Sequence, residues 1–327
     1  MKNVIEALSH WELLEIEKPA RYLGGEVNQA AAKESPALRT CLVFPDLYEL
    51  GMSNLALKIF YESLNQRPDI VAERAFSPWP DFESLLRRRG LPLYGLESGM
   101  PLKDFDVIFV TLPYEMTFTN VLNILDLAGL PLAWKNRNDG PIVIAGGPSA
   151  SNPLPVAKFM DAVLIGDGEE AIIEICDSLI ASKRAGANRS ETRQALTKVE
   201  GLWVPEFPGR VKRRVFKGFS QSQPPLKPVV PNVQAIHNRA PLEIFRGCMK
   251  GCRFCNAGFF YRPKRERPVE DLVKYAGDLL QSTGEESLGL LSLSTSDYNR
   301  LEDLIRSLDK SKLHPEQSVS IPSMRMN

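Results

Sequence analysis

Short apolar segments alternate with amphipathic segments from residue 37 to about residue 182, and this alternation is the strongest constraint on the fold. The apolar segments have the length of strands, and the amphipathic ones carry apolar residues at helical spacing. Strand–helix–strand crossovers join neighbouring strands in parallel, so we predict a doubly wound parallel sheet with helices on both faces. The predicted strands are 38–44, 106–112, 142–145 and 162–165, and the predicted helices are 54–65, 117–128 and 169–181.

The pattern changes after residue 182, which indicates a boundary between two domains. Residues 183–198 are polar with helical spacing, 202–219 predict a strand pair broken at Pro208-Gly209, and 223–231 are proline-rich and extended. Strands and helices then alternate again, with strands at 242–245, 288–294 and 318–321 and helices at about 269–282 and 300–308. The predicted organisation is a helical leader (1–36), an α/β domain (37–182), a linker with a helix and a β-hairpin (183–234), and a second domain (235–327).

Three cysteines form a CxxxCxxC run directly after the first predicted strand of the second domain. They are Cys248, Cys252 and Cys255. This spacing offers three thiolates from one tight loop to a 4Fe-4S cluster and leaves the fourth iron without a cysteine ligand. An iron with an open position can bind a substrate, so we predict a functional metal site here.

A zinc site is the alternative to a cluster. Zinc takes four ligands in closed structural sites, and ligands usually occur in pairs along the sequence. Cys41, Cys176 and His237 are candidates for the fourth ligand, but none of them belongs to a second pair. Cys41 lies in a predicted strand and Cys176 on the apolar face of a predicted helix, which favours core positions for both.

The stretch EIFRGCMKGCRFCNAG at residues 243–258 resembles the radical S-adenosylmethionine enzymes. The resemblance implies that S-adenosylmethionine chelates the free iron through its amino and carboxyl groups. It further implies that an electron from the cluster cleaves the sulfonium to a 5'-deoxyadenosyl radical. The family fold is a β/α barrel, and the second domain would supply only its N-terminal part. We therefore expect the sequence to be a fragment of a longer protein.

The same resemblance assigns cofactor contacts but no catalytic residue. Phe254 would pack beside the adenine of S-adenosylmethionine, with a plain core position as the alternative. Ser292 and Ser294 end a strand where the family often has a Gly-Gly-Glu motif for the methionyl amino group, and this sequence departs from that motif. Arg325 would pair with the carboxylate, because guanidinium is a bidentate partner. An exposed terminal arginine is the alternative.

The first domain resembles the cobalamin-binding domain fused to many radical S-adenosylmethionine enzymes. The matching segments are residues 46–51, 145–148 and 160–170. They come after predicted strands, at the edge where a Rossmann-like sheet binds ligands. The resemblance implies cobalamin contacts, and the residues concerned are Asp46, Tyr48, Gly51, Gly146 and Gly147. Tyr48 stands where the DxHxxG motif has the histidine beneath cobalt, so we expect no histidine ligand from this loop.

These loops also have a purely structural interpretation. Gly146 and Gly147 supply turn geometry, and Asp46 satisfies nearby backbone donors. Acids at positions 169 and 170 suit the first turn of a helix without any ligand. Residues 166–171 also fit the GxGxxA outline of a dinucleotide site, but the carboxylates at its variable positions would repel a pyrophosphate.

The net charge and the composition limit which classes of partner and which compartment we expect. Forty basic and forty acidic residues cancel, which gives no sign of a nucleic-acid partner. Residues 261–267 hold four basic side chains, which would either steer an anionic substrate or an electron donor such as flavodoxin, or form a solvated loop. No apolar run approaches the roughly 20 residues that cross a bilayer. Five cysteines, three of them clustered, are not a disulfide framework, so we expect a cytoplasmic protein.

Three functions are compatible with these features. The first is a radical enzyme that abstracts hydrogen and, with cobalamin, methylates an unactivated carbon. The second is radical modification of RNA or protein without methyl transfer. The third is a noncatalytic iron-sulfur or corrin-binding module. The sequence indicates neither the substrate nor the oligomeric state.

Overall fold

The structure of the protein, a computed structural model, describes residues 3–311 and 318–324. The chain divides into two compact units. Unit 1 comprises Met1–Val215 and Pro231–Ala235, and unit 2 comprises Phe216–Val230 and Ile236–Asn327. The segment from 216 to 235 therefore contributes to both units.

Unit 1 is built on one sheet in the order β2-β1-β3-β4-β5-β6. Neighbouring strands are parallel except β6, which is antiparallel to β5. The central strands are almost entirely buried, as expected when helices cover both faces of a parallel sheet. The α/β class and the parallel sheet are thereby confirmed. The strands are β1 (Leu38–Phe44), β2 (Ile70–Phe76), β3 (Val107–Thr111), β4 (Ile142–Gly146), β5 (Ala162–Leu164) and β6 (Leu202–Trp203).

The helices of unit 1 begin and end where local chemistry favours it. The Asn54 side chain accepts a hydrogen bond from the Leu57 amide at 3.1 Å and starts α3, while Gly90 ends α4 in the left-handed region. Paired capping bonds between Asn188 and Glu191 start α7. The helices are α1 (His10–Leu14), α2 (Tyr48–Met52), α3 (Leu55–Asn65), α4 (Pro80–Arg89), α5 (Phe118–Leu127), α6 (Ala171–Arg184) and α7 (Arg189–Leu196).

The predicted strand pair at 202–219 is wrong. Only Leu202–Trp203 of this stretch is a strand, and it pairs with β5 rather than with a hairpin partner. Lys217–Ser220 is a 3-10 helix that belongs to unit 2. Proline and glycine at positions 208 and 209 mark a turn, but the segments on either side find partners elsewhere.

Strand β2 carries charged side chains into the interior of unit 1. The buried Arg74 guanidinium donates to Glu26 at 2.9 Å and to Glu97 at 2.7 Å. Neighbouring Glu73 is also buried and accepts hydrogen bonds from the Ser98 amide at 3.1 Å and hydroxyl at 2.8 Å. A buried charge is tolerated only with partners of this kind.

Unit 2 contains a parallel sheet in the order β11-β10-β7 and an antiparallel pair, β8-β9. The strands are β7 (Ala240–Glu243), β8 (Phe245–Arg246), β9 (Arg265–Glu266), β10 (Ser287–Leu291) and β11 (Ser318–Ser320). The helices are α8 (Ala257–Phe260), α9 (Val269–Thr283) and α10 (Leu301–Ser311). Within the described residues the sheet is open, so the β/α barrel stays a prediction.

Helices α9 and α10 are amphipathic and cover the parallel sheet. Their apolar faces supply Leu272, Leu279 and Leu304 to a core that also contains Leu242 and Leu288 of the strands. Burial of each such leucine stabilises the folded unit by about 2 kcal/mol. Of the helices in residues 3–311 and 318–324, none combines the length and the apolar character needed to cross a membrane.

We expect Glu73→Gln to reduce the pH dependence of the free energy of unfolding. Burial, and then repulsion from Glu97, raises the pKa of Glu73 from 4.5 to about 7. The folded state then holds this proton more tightly than the unfolded chain, so stability falls as the pH rises from the unfolded pKa through about 7. Wild type should lose up to about 3 kcal/mol from this group over that interval, and the variant far less.

Denaturant titrations across this pH interval measure the effect. Glu34→Gln, at an exposed carboxylate, is the matched control and should keep the wild-type pH dependence. Equal pH dependence in wild type and Glu73→Gln would show that the Glu73 carboxyl does not titrate as the burial implies.

Candidate functional site

The three cysteines of unit 2 lie in one loop between β8 and α8. We call residues 247–256 the cysteine loop. Cys252 is exposed, whereas Cys248 and Cys255 are half-buried, and the Cys255 amide donates to the Cys252 carbonyl at 3.0 Å. Within the described residues no three metal-ligating side chains already converge, so binding a cluster requires the thiols to move together.

Gly247 fixes where the cysteine loop begins. It has a φ of +90°, and a Cβ there would lie 2.4 Å from the Pro263 carbonyl oxygen and 2.7 Å from that of Tyr261. A side chain at this position would therefore separate β8 from the segment that leads into β9. Only glycine combines this conformation with so close a backbone approach.

A cavity of about 240 Å³ opens beside Cys248. Its wall includes Phe245, Met249 and Asn299, together with a charged group formed by Lys250, Lys264 and Asp297. Lys250 Nζ lies 3.2 Å from the Asp297 carboxylate, and Lys264 Nζ donates to the Asp297 carbonyl at 2.6 Å. The cavity thus places ammonium and carboxylate groups next to a cysteine thiol, a surface suited to a small polar ligand.

The end of β10 lies at the same edge of the parallel sheet as the end of β7, which precedes the cysteine loop. The Ser292 and Thr295 hydroxyls are 2.9 Å apart, and the Thr295 hydroxyl donates to the Pro322 carbonyl at 2.6 Å. Ser294 Oγ is different, because it is buried and has no hydrogen-bond partner among the described residues. A buried hydroxyl without a partner is costly, and a bound ligand would satisfy it.

Of the other residues that the resemblance assigned to S-adenosylmethionine, Phe254 lies within the cysteine loop and Ser292 follows β10. Phe254 is 93% exposed, so its ring does not occupy a core position. Arg325 lies outside the described residues. The cysteine loop and the two serines after β10 are therefore the predicted features that unit 2 brings to one sheet edge.

The basic run at residues 261–267 is not a charged surface patch. Arg265 and Arg267 are buried, and Lys264 is paired with Glu266 at 2.5 Å. The Arg262 guanidinium lies 4.5 Å from the centre of the Phe259 ring. Arg265 and Arg267 therefore pack within unit 2 rather than in a solvated loop, whereas Lys264 lines the cavity beside Cys248. Steering of an anionic substrate or an electron donor by this run stays a prediction.

In unit 1, Asp46 follows β1 at the carboxyl edge of the sheet. Its carboxylate accepts a hydrogen bond from the Leu47 amide at 2.8 Å and a second from the Tyr114 hydroxyl, which follows β3. This hydrogen bond raises the pKa of Tyr114 to about 12. Strands β1 and β3 are the neighbours at which the strand order reverses, so the Asp46–Tyr114 bond spans the position where open α/β sheets bind ligands.

The two glycines at the end of β4, Gly146 and Gly147, differ in how closely other atoms approach them. Gly147 has a φ of +110°, and a Cβ there would lie 2.8 Å from the Leu112 carbonyl oxygen. Gly146 is less crowded, because a Cβ there would have the Leu164 Cβ as its neighbour at 3.7 Å. The turn after β4 therefore depends on Gly147 for its close approach to the loop after β3, while Gly146 leaves room at the sheet edge.

Tyr48 and Gly51 lie in the interior rather than at the open edge. The buried Tyr48 hydroxyl donates to Glu26 at 3.0 Å and accepts from the Asn232 amide at 3.0 Å. Burial, and then the Glu26 carboxylate, raises the pKa of Tyr48. A Cβ on Gly51 would lie 2.2 Å from the Phe76 ring, so this glycine lets α2 pack on β2. Both residues have a structural role without any cofactor.

The acidic turn after β5 is neutralised from within the chain. The Arg214 guanidinium donates to Glu170 at 3.0 Å and to Glu174 at 2.7 and 2.6 Å. Gly166 passes close to the Arg214 backbone, where a Cβ would lie 2.2 Å from its carbonyl oxygen. Residues that fit the GxGxxA motif therefore contact Arg214 of the same chain at the position where the motif would bind a dinucleotide.

Sequence reasoning missed Tyr114 and Asp297. Each contributes to a site through a partner far away in sequence: Tyr114 through Asp46, and Asp297 through Lys264. Their position in the sequence could have identified them as site candidates. Tyr114 and Asp297 both follow strands at the carboxyl edge of a predicted parallel sheet.

We expect Gly247→Ala to destabilise unit 2 more than Gly284→Ala. Both glycines have positive φ, which costs an alanine about 1 kcal/mol, but a methyl group at Gly284 would have no atom within 4 Å whereas one at Gly247 would meet two carbonyl oxygens. Gly247→Ala should therefore cost about 3 kcal/mol in total. Denaturant titration of the two variants measures the difference, and equal losses would show that the close approach at Gly247 relaxes freely.

Comparison with known proteins identifies relatives of both units. The sequence model described as "Radical SAM proteins, N-terminal" matches residues 56–205. Over 278 residues the chain is 26% identical to the uncharacterized protein MJ0966 of Methanocaldococcus jannaschii, and the match covers 84% of this chain and 53% of that protein. The chain thus spans about half the length of this relative. The family match lies in unit 1, so it is independent of the cysteine run.

Two solved structures have a similar fold. Both are of the radical S-adenosylmethionine methyltransferase TsrM from Kitasatospora setae, one with tryptophan substrate and a SAM analog, the other with cobalamin and a [4Fe-4S] cluster. Each has a TM-score of 0.55, with sequence identities of 13% and 12%. The matches cover 86% and 88% of this chain and 54% and 56% of the TsrM chains. At this identity the likeness concerns the fold.

Proposed function

We propose that the chain is a radical SAM family protein that binds a 4Fe-4S cluster through Cys248, Cys252 and Cys255 and cleaves S-adenosylmethionine reductively. The observation that carries this proposal is the cysteine loop at the carboxyl edge of a parallel sheet, with the Ser294 hydroxyl at the same edge, which has no hydrogen-bond partner among residues 3–311 and 318–324. Three thiols in one exposed loop are a donor set that fits such a cluster. When bound, the cluster supplies one electron that breaks a carbon–sulfur bond of S-adenosylmethionine and yields the 5'-deoxyadenosyl radical and methionine.

The residues of unit 2 would bind and orient the ligands of this reaction. Gly247 holds the start of the cysteine loop against the segment before β9. Ser294 offers a hydrogen bond to the methionyl end of S-adenosylmethionine, and the Lys250–Asp297 pair lines the cavity beside Cys248. An electron donor such as flavodoxin would have to approach the exposed side of the loop at Cys252.

Methyl transfer through cobalamin is the finer part of the proposal. The loops after β1, β3 and β4 meet at one edge of unit 1, and a TsrM structure of similar fold holds cobalamin. Asp46, Gly146 and Gly147 would lie next to a corrin at that edge. The Tyr48 hydroxyl is buried in protein contacts, so Tyr48 itself would not ligate cobalt without rearrangement. Retention of a corrin absorbing in visible light separates this function from radical modification without methyl transfer.

We expect anaerobic reconstitution with iron and sulfide to load about four iron atoms per chain. Reduction with dithionite in the presence of S-adenosylmethionine should then release 5'-deoxyadenosine, measured by chromatography. Cys252→Ala should abolish the product and most of the iron, whereas Cys176→Ala, at a buried helix position outside the loop, should keep both. Iron that is independent of Cys252, or zinc in its place, would contradict the proposal.

We expect Ser294→Ala to weaken binding of S-adenosylmethionine by about tenfold, because a hydrogen bond to a charged group contributes about 1.5 kcal/mol. The same change removes an unsatisfied buried hydroxyl, so the free energy of unfolding of the unloaded protein should stay constant or rise. Calorimetric titration of the reconstituted protein measures affinity. Ser292→Ala is the control, since the Ser292 hydroxyl is already paired with Thr295. Unchanged affinity in Ser294→Ala would remove Ser294 from the site.

A further inference from the structure

A short segment at the start of unit 2 packs against the β8–β9 strand pair, between whose strands the cysteine loop lies in the sequence. We call residues 216–222 the strap. It contains the 3-10 helix Lys217–Ser220, and its central side chain, Phe219, is 0% exposed. Sequence reasoning placed these residues in a linker. A fully buried aromatic ring in a connecting segment indicates that the segment is part of the packed unit.

Three guanidinium groups surround the Phe219 ring. The distances from the ring centre to Cζ are 5.0 Å for Arg246, 6.0 Å for Arg265 and 4.3 Å for Arg267. A cation over an aromatic face contributes about 0.5–1 kcal/mol at exposed sites and about 2 kcal/mol when water is excluded. Phe219 therefore brings three guanidinium groups of the β8–β9 region to one aromatic ring.

Two of these arginines, Arg265 and Arg267, also donate hydrogen bonds to the strap. Arg265 Nη1 donates to the Phe216 carbonyl at 2.7 Å. Arg267 donates to the Ser222 carbonyl through Nη1 and to the Ser222 hydroxyl through Nη2 at 3.4 Å. Both ends of the strap are thus attached to the segment around β9.

The arginines around Phe219 lie in or directly after the two strands that flank the cysteine loop. Arg246 pairs with Arg265 across the β8–β9 ladder and is separated from Cys248 only by Gly247. Arg246 is also fixed by Glu243, whose carboxylate accepts from Nε and Nη2 at 3.0 Å each. The strap, the two strands and the close approach at Gly247 therefore determine the position and direction from which the cysteine loop starts.

We propose that Phe219 is a positioning residue for the iron site: through Arg246, Arg265 and Arg267 it fixes the hairpin from which the cysteine loop extends. This inference rests on the proposed function, because it concerns a cluster bound by that loop. Charge and hydrogen bonding around a cluster set its reduction potential, so displacement of these guanidinium groups would shift that potential. Loss of the ring should change both how tightly the cluster is held and how easily it is reduced.

The test compares Phe219→Ala with Phe219→Leu, Phe219→Tyr and the control Phe207→Ala, which removes a half-exposed ring from unit 1. All are made in the full chain and reconstituted with iron and sulfide. The readouts are the chelator concentration that strips half of the iron, the electron paramagnetic resonance spectrum of the reduced cluster, and its midpoint potential. Circular dichroism checks the fold.

We expect Phe219→Ala to release iron at about tenfold lower chelator concentration, with an altered spectrum and a shifted potential. Phe219→Tyr keeps an aromatic face and should restore all three readouts, whereas Phe219→Leu keeps volume without that face and should not. Phe207→Ala should behave as wild type. If Phe219→Ala does not fold, Phe219→Leu decides the question by the same readouts.

Two results would overturn the inference in distinguishable ways. A wild-type chain that takes up no cluster would overturn the proposed function, and the inference with it. A wild-type chain with a cluster, beside Phe219→Ala and Phe219→Leu with unchanged iron retention, spectrum and potential, would overturn the inference alone.

Discussion

Parallel strand pairing is the constraint on which both units depend. Parallel neighbours need a crossover connection that returns the chain to the same starting edge, and this connection is usually a helix that covers a face of the sheet. The carboxyl ends of the strands then meet at the opposite edge, and the connecting loops meet with them. In unit 1 this brings Asp46 and Tyr114 together across the reversal of strand order. In unit 2 it brings the cysteine loop and Ser294 to one edge.

The parts of the fold that sequence could predict are those whose burial is visible in local pattern. Strands β1, β3 and β4 are apolar runs, and the helices after β1 and β3 have one apolar face, so both kinds of element are recognisable alone. Strand β2 was missed because Glu73 and Arg74 make it look polar. Their burial depends on Glu26, Glu97 and Ser98, which are distant in sequence and are brought close only by the fold.

The candidate site likewise contains residues that local sequence identifies and residues whose surroundings depend on distant parts of the chain. The cysteine run could be found from spacing alone, since the chemistry is carried by residues a few positions apart. The basic run after it was misread, because an arginine side chain looks exposed until its partners are known. Arg265 and Arg267 are buried by Phe219 and by strap carbonyls more than forty positions upstream. The surroundings of Tyr48 could not be predicted for a related reason: a motif position does not reveal that its hydroxyl is held by Glu26 and Asn232.

The path of the chain between the units has a consequence for how this architecture can be rearranged. Val215, Val230 and Ala235 each end a segment of one unit, so the chain passes between the units three times. A cut after Val215 leaves unit 1 without Asn232, whose amides hold the Tyr48 hydroxyl and the Gly24 carbonyl. A cut after Ala235 instead leaves unit 2 without its strap. No single junction separates two intact units, so recombination at one point could not exchange either of them as a cassette.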